Sequence, residues 1–286
     1  MKSDQNGINK LVKRWRRQIL KILNKNFISS FEKAKRRLNK LQRFQPGKIS
    51  IGDWSVEYVD GPALASTIDL LLIKKINDFN ATTSSPVILD CGANIGVSVL
   101  NYKRKYPDSK VIAFEPDPKI FPILKNNLIN NSLSNVQLVE AAVWIKKGRF
   151  QFFCEGADGS KLILDDQNCS DRIEVQTVDL SEYIDQKIDL IKMDIEGAEF
   201  EVFSHIVNKL HLVDNLLIEC HFNVDEIGKL TKLLDVLSQA GFSVSIAVLG
   251  GWYDLLNKPK RNVNGFDQYI LVSAWRQMVI NHSEDK

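Results

Sequence analysis

Residues 86–118 read PVILDCGANIGVSVLNYKRKYPDSKVIAFEPDP, and the fold class follows from this stretch. Val87, Ile88 and Leu89 form a short apolar run that reaches Asp90 and breaks at Gly92. A run of that length closed by a turn signal is the pattern of a fully buried strand. Gly96 to about Tyr106 carries a helical pattern that Pro107-Asp108 closes, and Val111 to Phe114 is a second apolar strand ending in Glu115. Strand, glycine turn, helix and strand make the first half of a nucleotide-binding α/β fold.

The turn residues narrow the ligand. Gly92 and Gly96 permit close backbone approaches, so a ligand is expected to lie against the loop. Glu115 follows Gly96 by 19 residues (115 − 96), at the tip of the neighbouring strand, where a carboxylate can accept from both hydroxyls of a ribose. NAD and S-adenosylmethionine both carry a ribose, so Glu115 does not choose between them. The loop reads D-x-G-x-N-x-G through Asp90, Gly92, Asn94 and Gly96, without the third glycine of the dinucleotide fingerprint. A carboxylate at the strand mouth repels a pyrophosphate and attracts the ammonium and sulfonium of S-adenosylmethionine. The blander alternative is that Asp90 caps the following helix and the glycines only turn the chain.

The segments ILDCGANIG, AFEPDP and IKMDIEGAE, in that order, resemble the FkbM-type class I methyltransferases, over about Ser84 to Glu219 and more weakly beyond. The resemblance implies a Rossmann-like, mostly parallel α/β sheet of seven strands whose last strand is antiparallel. It also implies S-adenosylmethionine as cofactor and O-methylation of a hydroxyl on a sugar, glycan or natural product. In the wider class the end of the third strand faces adenine, often with an acidic side chain. The register places Ala142 there and Glu140 two residues earlier, so adenine contacts are expected from backbone at Ala142.

The rest of the chain fits one α/β domain with an appendage. The 286 residues are 44% hydrophobic and 26% charged, enough for a sizeable core. No apolar run reaches the length of a membrane span, and no continuous apolar stretch before a small-residue cleavage site marks a signal peptide. Cys91, Cys154, Cys169 and Cys220 fall at no metal-ligand spacing, so a reducing cytoplasm is the expected compartment.

Charge is distributed unevenly. Residues 1–44 hold fourteen Lys or Arg against Asp4 and Glu32, a balance of 14 − 2 = +12, which leaves 24 − 33 = −9 for the remainder. Residues 1–45 are read as a basic amphipathic helical arm, 46–83 as a hairpin and a helix over Ala63–Phe79, and 84–286 as the methyltransferase domain. In the arm Ile8, Leu11, Val12, Trp15, Ile19, Ile22 and Leu23 recur at helical spacing, and Phe31, Ala34, Leu38 and Leu41 resume the pattern. Such a helix suits an anionic membrane surface, which would make the protein peripheral to the membrane's inner face. Packing on the body, pairing with another chain, and attraction to the acidic remainder compete with that reading. Nucleic acid is a weaker expectation, and no Asn-Pro-Pro-aromatic motif of amino-methylating enzymes is present.

Past Glu115, a helix is expected over Pro118–Leu128 and a strand over Val136–Val143. Two further strands, Gly148–Phe153 and Arg172–Val178, flank a polar loop from Glu155 to Asp171, a candidate acceptor-binding lip. Ile188–Met193 is the fourth parallel strand, ending in Asp194. Leu216–Ile218 is the fifth, ending in Glu219, Cys220 and His221. Asp225 is read as a helix N-cap and Gly241 as its C-terminal cap. Phe242–Leu249 and Phe266–Ala274, with a loop holding Trp252 and Tyr253 between them, end the chain as an antiparallel pair.

Ligands of open α/β sheets bind outside the carboxyl ends of the strands, so Asp90, Glu115, Asp194, Glu219 and His221 should converge on one crevice. For a hydroxyl acceptor, His221 or a carboxylate such as Asp194 would take the proton. Alternatively Asp194 and Glu219, with His221, would hold Mg or Mn and lower the acceptor's pKa. Glu199 is assigned to the helix start, as a cap. A catalytically inactive binding scaffold is the remaining alternative.

Overall fold

The computed structural model describes residues 29–153, 161–162, 172–251, 266 and 268–276. The chain divides into two units between Ile76 and Asn77.

In the first unit, residues 29–38 form helix α1, and β1 (Gly47–Ile51) and β2 (Trp54–Tyr58) pair as an antiparallel hairpin. Phe31, Ala34 and Leu38 of α1 are buried, and Phe31 packs on Trp54 with ring centroids 5.7 Å apart. The second half of the basic arm is therefore part of a folded unit. Helix α2 (Gly61–Thr67) starts on Asp60, whose side chain accepts from the N–H of Ala63 and of Phe44, both at 3.0 Å, and pairs with Arg43. A π-helical turn, Ile68–Ile73, continues it. The helix expected to reach Phe79 ends there, because Lys75 takes a left-handed φ of 57° that breaks the backbone ladder.

The second unit is built on a seven-stranded sheet. Its strands are β3 (Val87–Cys91), β4 (Lys110–Phe114), β5 (Val136–Val139), β10 (Leu190–Met193), β11 (Asn215–Phe222), β12 (Phe242–Gly251) and β13 (Gln268–Arg276), in the order β12-β13-β11-β10-β3-β4-β5. All neighbours are parallel except β13, which runs against β11 and β12, as the resemblance implied. From β3 the chain winds outward through β4 and β5, then returns to β10 on the other side. The switch point, where such sheets open a crevice, lies between β3 and β10.

The expected third strand is shorter than read. It stops at Val139, and the chain crosses into β6 (Ala142–Trp144), which belongs to a second sheet with β7 (Gly148–Phe153), β8 (Lys161–Leu162) and β9 (Arg172–Asp179). Of the 155–171 loop, only the β8 pair is described.

Helices α3 (Val97–Lys105) and α4 (Phe121–Asn130) cover one face of the main sheet, through Val99, Tyr102, Leu124 and Leu128 on Ile88, Val111, Leu190 and Leu217. Helices α5 (Glu199–His205) and α6 (Ile227–Gln239), with the second sheet, cover the other, against Leu89, Ile191, Met193 and Ile218. The expected helix over 118–128 thus begins later, at Phe121. The N-cap ahead of α6 is Asn223, in a capping box with Glu226, rather than Asp225. Gly241 does close α6, at φ +81°.

Candidate active site

Strand parity assembles the site. Successive side chains alternate faces, so Asp90 shares the α3 face with Ile88, Lys192 with Leu190, and Glu219 and His221 with Leu217. The register then aligns them: Asp90 pairs with Lys192, and Lys192 with Leu217, which brings Asp194 level with Glu219 two residues beyond. Strand β11 outruns β10. Past Ile218 it pairs only with β13, so Glu219 and His221 project beyond the last residue of their parallel neighbour.

At the end of β4, Glu115 is the central group. Its carboxylate accepts the N–H of Asn94 and of Asp117, each at 2.9 Å. Burial pushes its carboxyl up to about 7, against the pull of those N–H groups. Each carboxylate oxygen accepts about two bonds, so both keep capacity for a hydroxyl donor. Asn94, at φ 48°, turns the loop, and its side-chain oxygen accepts from the N–H of Ile95.

Three expectations about this loop change. Asp90 is fully buried, with the Ser98 hydroxyl donating to one oxygen and Lys192 Nζ 3.4 Å from the other. A ligand on the loop therefore does not meet its carboxylate directly. The glycines also serve another purpose than expected. A Cβ on Gly92 would lie 1.9 Å from the carbonyl oxygen of Asp194, and one on Gly96 would lie 2.6 Å from Leu124. Both have left-handed φ, and the space they leave is filled by protein. Finally, Ala142 lies on β6, paired with Thr177 and buried in the core cluster. The chain leaves the main sheet at Glu140, and that break displaces the register on which Ala142 was placed.

At the ends of β10 and β11, Asp194, Glu219 and His221 do come together, with one ligand atom each within 4.8 Å of the others. His221 Nδ1 is 3.0 Å from Glu199 Oε1. A carboxylate only accepts, so Nδ1–H donates and Nε2 is turned toward Glu196 and Glu219. It lies 3.7 Å from Glu196 Oε2 and from Glu219 Oε1. Burial opposes a charge on this imidazole, but Glu196 and Glu199 outweigh it and raise its pKa well above the usual value. Burial pushes Glu219 up to about 7, assisted by Asp194, and Glu196 up to about 8. Exposure separates the candidates. The His221 side chain is only 1% exposed, with the Tyr269 ring edge-on at 4.9 Å, while those of Glu219 and Asp194 are 23% and 31% exposed.

Two groups escaped the sequence reading. Glu199 is a cap, as expected, accepting from the N–H of Ile195 and of Gly197, but its carboxylate also orients His221. Lys192 is buried, 3.2 Å from Asp194 and donating to the carbonyl of Gly92 at 2.6 Å. Its signal in the sequence was a lone lysine inside a buried apolar strand, a position that a cation occupies only with partners.

Comparison with known proteins bears on the family. A sequence profile described as the Methyltransferase FkbM domain matches residues 90–244. The chain is 31% identical over 198 residues to methyltransferase sdnD of Sordaria araneosa, covering 57% of this chain and 75% of that one. It is 30% identical over 139 residues to the 2-O-methyltransferase NoeI of Sinorhizobium fredii, covering 42% and 56%. With the hexuronic acid methyltransferase AglP of Haloferax volcanii it shares 27% over 182 residues, covering 62% and 71%. Among solved structures it is similar to an FkbM methyltransferase of Methylobacillus flagellatus, at 16% identity and a TM-score of 0.46, covering 86% and 59%. Matched by that profile over more than half its length, the chain belongs to the FkbM methyltransferase family.

Proposed function

We propose that the protein transfers a methyl group from S-adenosylmethionine to a hydroxyl oxygen of a sugar, glycan or natural product. The observation that carries this reading is the line Glu199–His221–Glu219 beside Asp194, one strand from the β3 loop that Glu115, at the end of β4, holds through the Asn94 N–H. The names of the similar proteins NoeI and AglP, a 2-O-methyltransferase and a hexuronic acid methyltransferase, support a carbohydrate acceptor.

When bound, S-adenosylmethionine supplies an electrophilic methyl carbon on a cationic sulfur. Glu115 would accept from its ribose hydroxyls, and the turn from Gly92 to Gly96 would lie beside it. Asp194 and Glu219 receive the acceptor hydroxyl, since they are the open members of the cluster. Glu219 would take the proton of that hydroxyl. Its pKa, pushed up to about 7, suits a base at neutral pH. His221 is sealed from the acceptor and acts behind Glu219, held in one orientation by Glu199.

A second reading is that Asp194, Glu219 and His221 hold a divalent cation that lowers the pKa of the hydroxyl, favoured by their mutual spacing. Methyl-labelled S-adenosylmethionine offered with fractionated glycans, small molecules, lipids and nucleic acid from the source cells tests both. Label is expected in the glycan or small-molecule fraction, with Glu219→Gln slower by roughly 10²–10⁴-fold. Activity should fall as pH drops through about 7, because Glu219 must be ionised to accept a proton. Activity lost to a chelator and restored by Mn or Mg would select the metal reading. Label in nucleic acid would replace the acceptor class, and no label in any fraction would leave an inactive scaffold.

A further inference from the structure

At the switch point of the sheet, one ammonium serves two carboxylates. Lys192 Nζ lies 3.4 Å from Asp90 Oδ1 and 3.2 Å from Asp194 Oδ2, and donates to the Gly92 carbonyl at 2.6 Å. Asp90 belongs to the strand that opens the glycine loop, and Gly92 to the loop itself, while Asp194 faces the acceptor. Desolvating a lysine is costly, and these oxygens are what retains it as a cation.

We propose that Lys192 is a positioning residue that sets the charge felt by the methyl donor. Its fixed cation offsets Asp90 behind the glycine loop, so the loop does not hold a cationic sulfur more tightly than the neutral sulfur left after transfer. The inference rests on the proposed reading that S-adenosylmethionine lies against this loop.

The physical reason lies in the charge balance of the reaction. The carbon–sulfur bond breaks with its electron pair left on sulfur, so a sulfonium becomes a neutral thioether. The oxygen–carbon bond forms, and the hydroxyl proton goes to Glu219. A pocket with excess negative charge stabilises the sulfonium before transfer and loses that interaction during it, which raises the barrier. Lys192 acts in the opposite sense. The site also holds Glu196, Glu199, Glu219 and His221, but Lys192 is the group that touches the loop and the acceptor end at once.

Substrate and product test this without a methyl acceptor. S-adenosylmethionine and S-adenosylhomocysteine share adenine, ribose and amino-acid ends, so the ratio of their affinities isolates the charge on sulfur. Calorimetry would measure both ligands on the full chain, on Lys192→Met, on Asp90→Asn and on the double variant. Lys192→Met should shift the ratio toward S-adenosylmethionine by about tenfold, the size of one unit charge several ångströms away at intermediate dielectric. Asp90→Asn should shift it the other way, and the double variant, which restores the net charge, should return it toward the wild-type value. If Lys192→Met does not fold, Asp90→Asn against the double variant makes the same comparison. A purely structural lysine would weaken both ligands by one factor. Equal shifts, or a double variant that does not reverse the single one, would overturn the inference. Failure of both ligands to bind the wild-type protein would instead overturn the proposed function on which it rests.

Discussion

Glu115 shows how one buried side chain can hold a loop. Two backbone N–H groups, from Asn94 and Asp117, fix its carboxylate, yet burial raises its pKa from 4.5 to about 7. A carboxylate raised in this way favours the fold while protonated. Its contribution is full below its unfolded pKa near 4.5 and is lost as pH rises through about 7. Ribose hydroxyls donate to the ionised form and offset that loss. Affinity for S-adenosylmethionine should therefore rise with pH through about 7. Glu115→Gln should abolish this dependence and cost about 1.5–3 kcal/mol of binding, the value of charge-assisted hydrogen bonds. Unchanged affinity in that variant, measured by calorimetry across pH 5–9 (an interval of about two units on either side of 7), would remove Glu115 from the cofactor site.

At the scale of elements, the two turns at the switch point interlock. The loop after β3 and the turn after β10 approach so closely that a Cβ on Gly92 would meet the Asp194 carbonyl at 1.9 Å. The same turn carries Glu196 at φ 54° and places its N–H groups on Glu199, which then reaches His221 on β11. Gly92→Ala cannot be absorbed by one side chain, because both partners are backbone. The left-handed angle alone costs roughly 1–2 kcal/mol, and the clash adds to it. Melting temperature should fall, and cofactor affinity should fall with it, since the cofactor loop moves with the acceptor turn. In the first unit the vulnerable joint is Asp60. Asp60→Ala removes the N-cap of α2 and a buried partner of Arg43, and should cost about 1–2 kcal/mol. Hydrogen exchange would report the loss in α2 and its neighbours; unaltered protection there would mean the cap is dispensable.

For the whole molecule, the folded part of the arm changes the partner question. The Phe31, Ala34 and Leu38 stripe is buried in the first unit, so it is not free for a bilayer. Residues 1–28, which lie outside the described residues, still hold eight Lys or Arg and one Asp, 8 − 1 = +7, with Trp15 among them. We propose that this segment takes the protein to anionic membranes, each basic residue near the surface adding about 1 kcal/mol. Among the described residues no helix is long and apolar enough to cross a membrane. Co-sedimentation should show salt-sensitive binding to anionic but not neutral vesicles, lost on deleting residues 1–28 while cofactor affinity is kept. Equal recovery of both proteins in the supernatant would rule this out. A cut at residue 45 would be a poorer test, because it removes core side chains of the first unit.

The sequence by itself determined most strands of the main sheet and the polar residues that close them. Apolar runs closed by Asp90, Glu115, Asp194 and Glu219 are local patterns, and a strand's carboxyl end is legible wherever such a run meets a polar residue. The antiparallel β13 was reached from the family resemblance. Only the tertiary structure decided what those residues touch. Whether Asp90 meets a ligand or a lysine depends on the register of β3 against β10, which pairs residues about 100 positions apart and leaves no local trace. The reach of Glu199 to His221 and the sealing of that imidazole depend on a turn geometry and a neighbouring strand. The break at Glu140 was hidden because a single glutamate within VQLVEAAV also reads as an outward-facing position of one continuous strand. Period and turn chemistry act between near neighbours along the chain, whereas charge pairing at the site is set by distances that exist only once the strands are aligned.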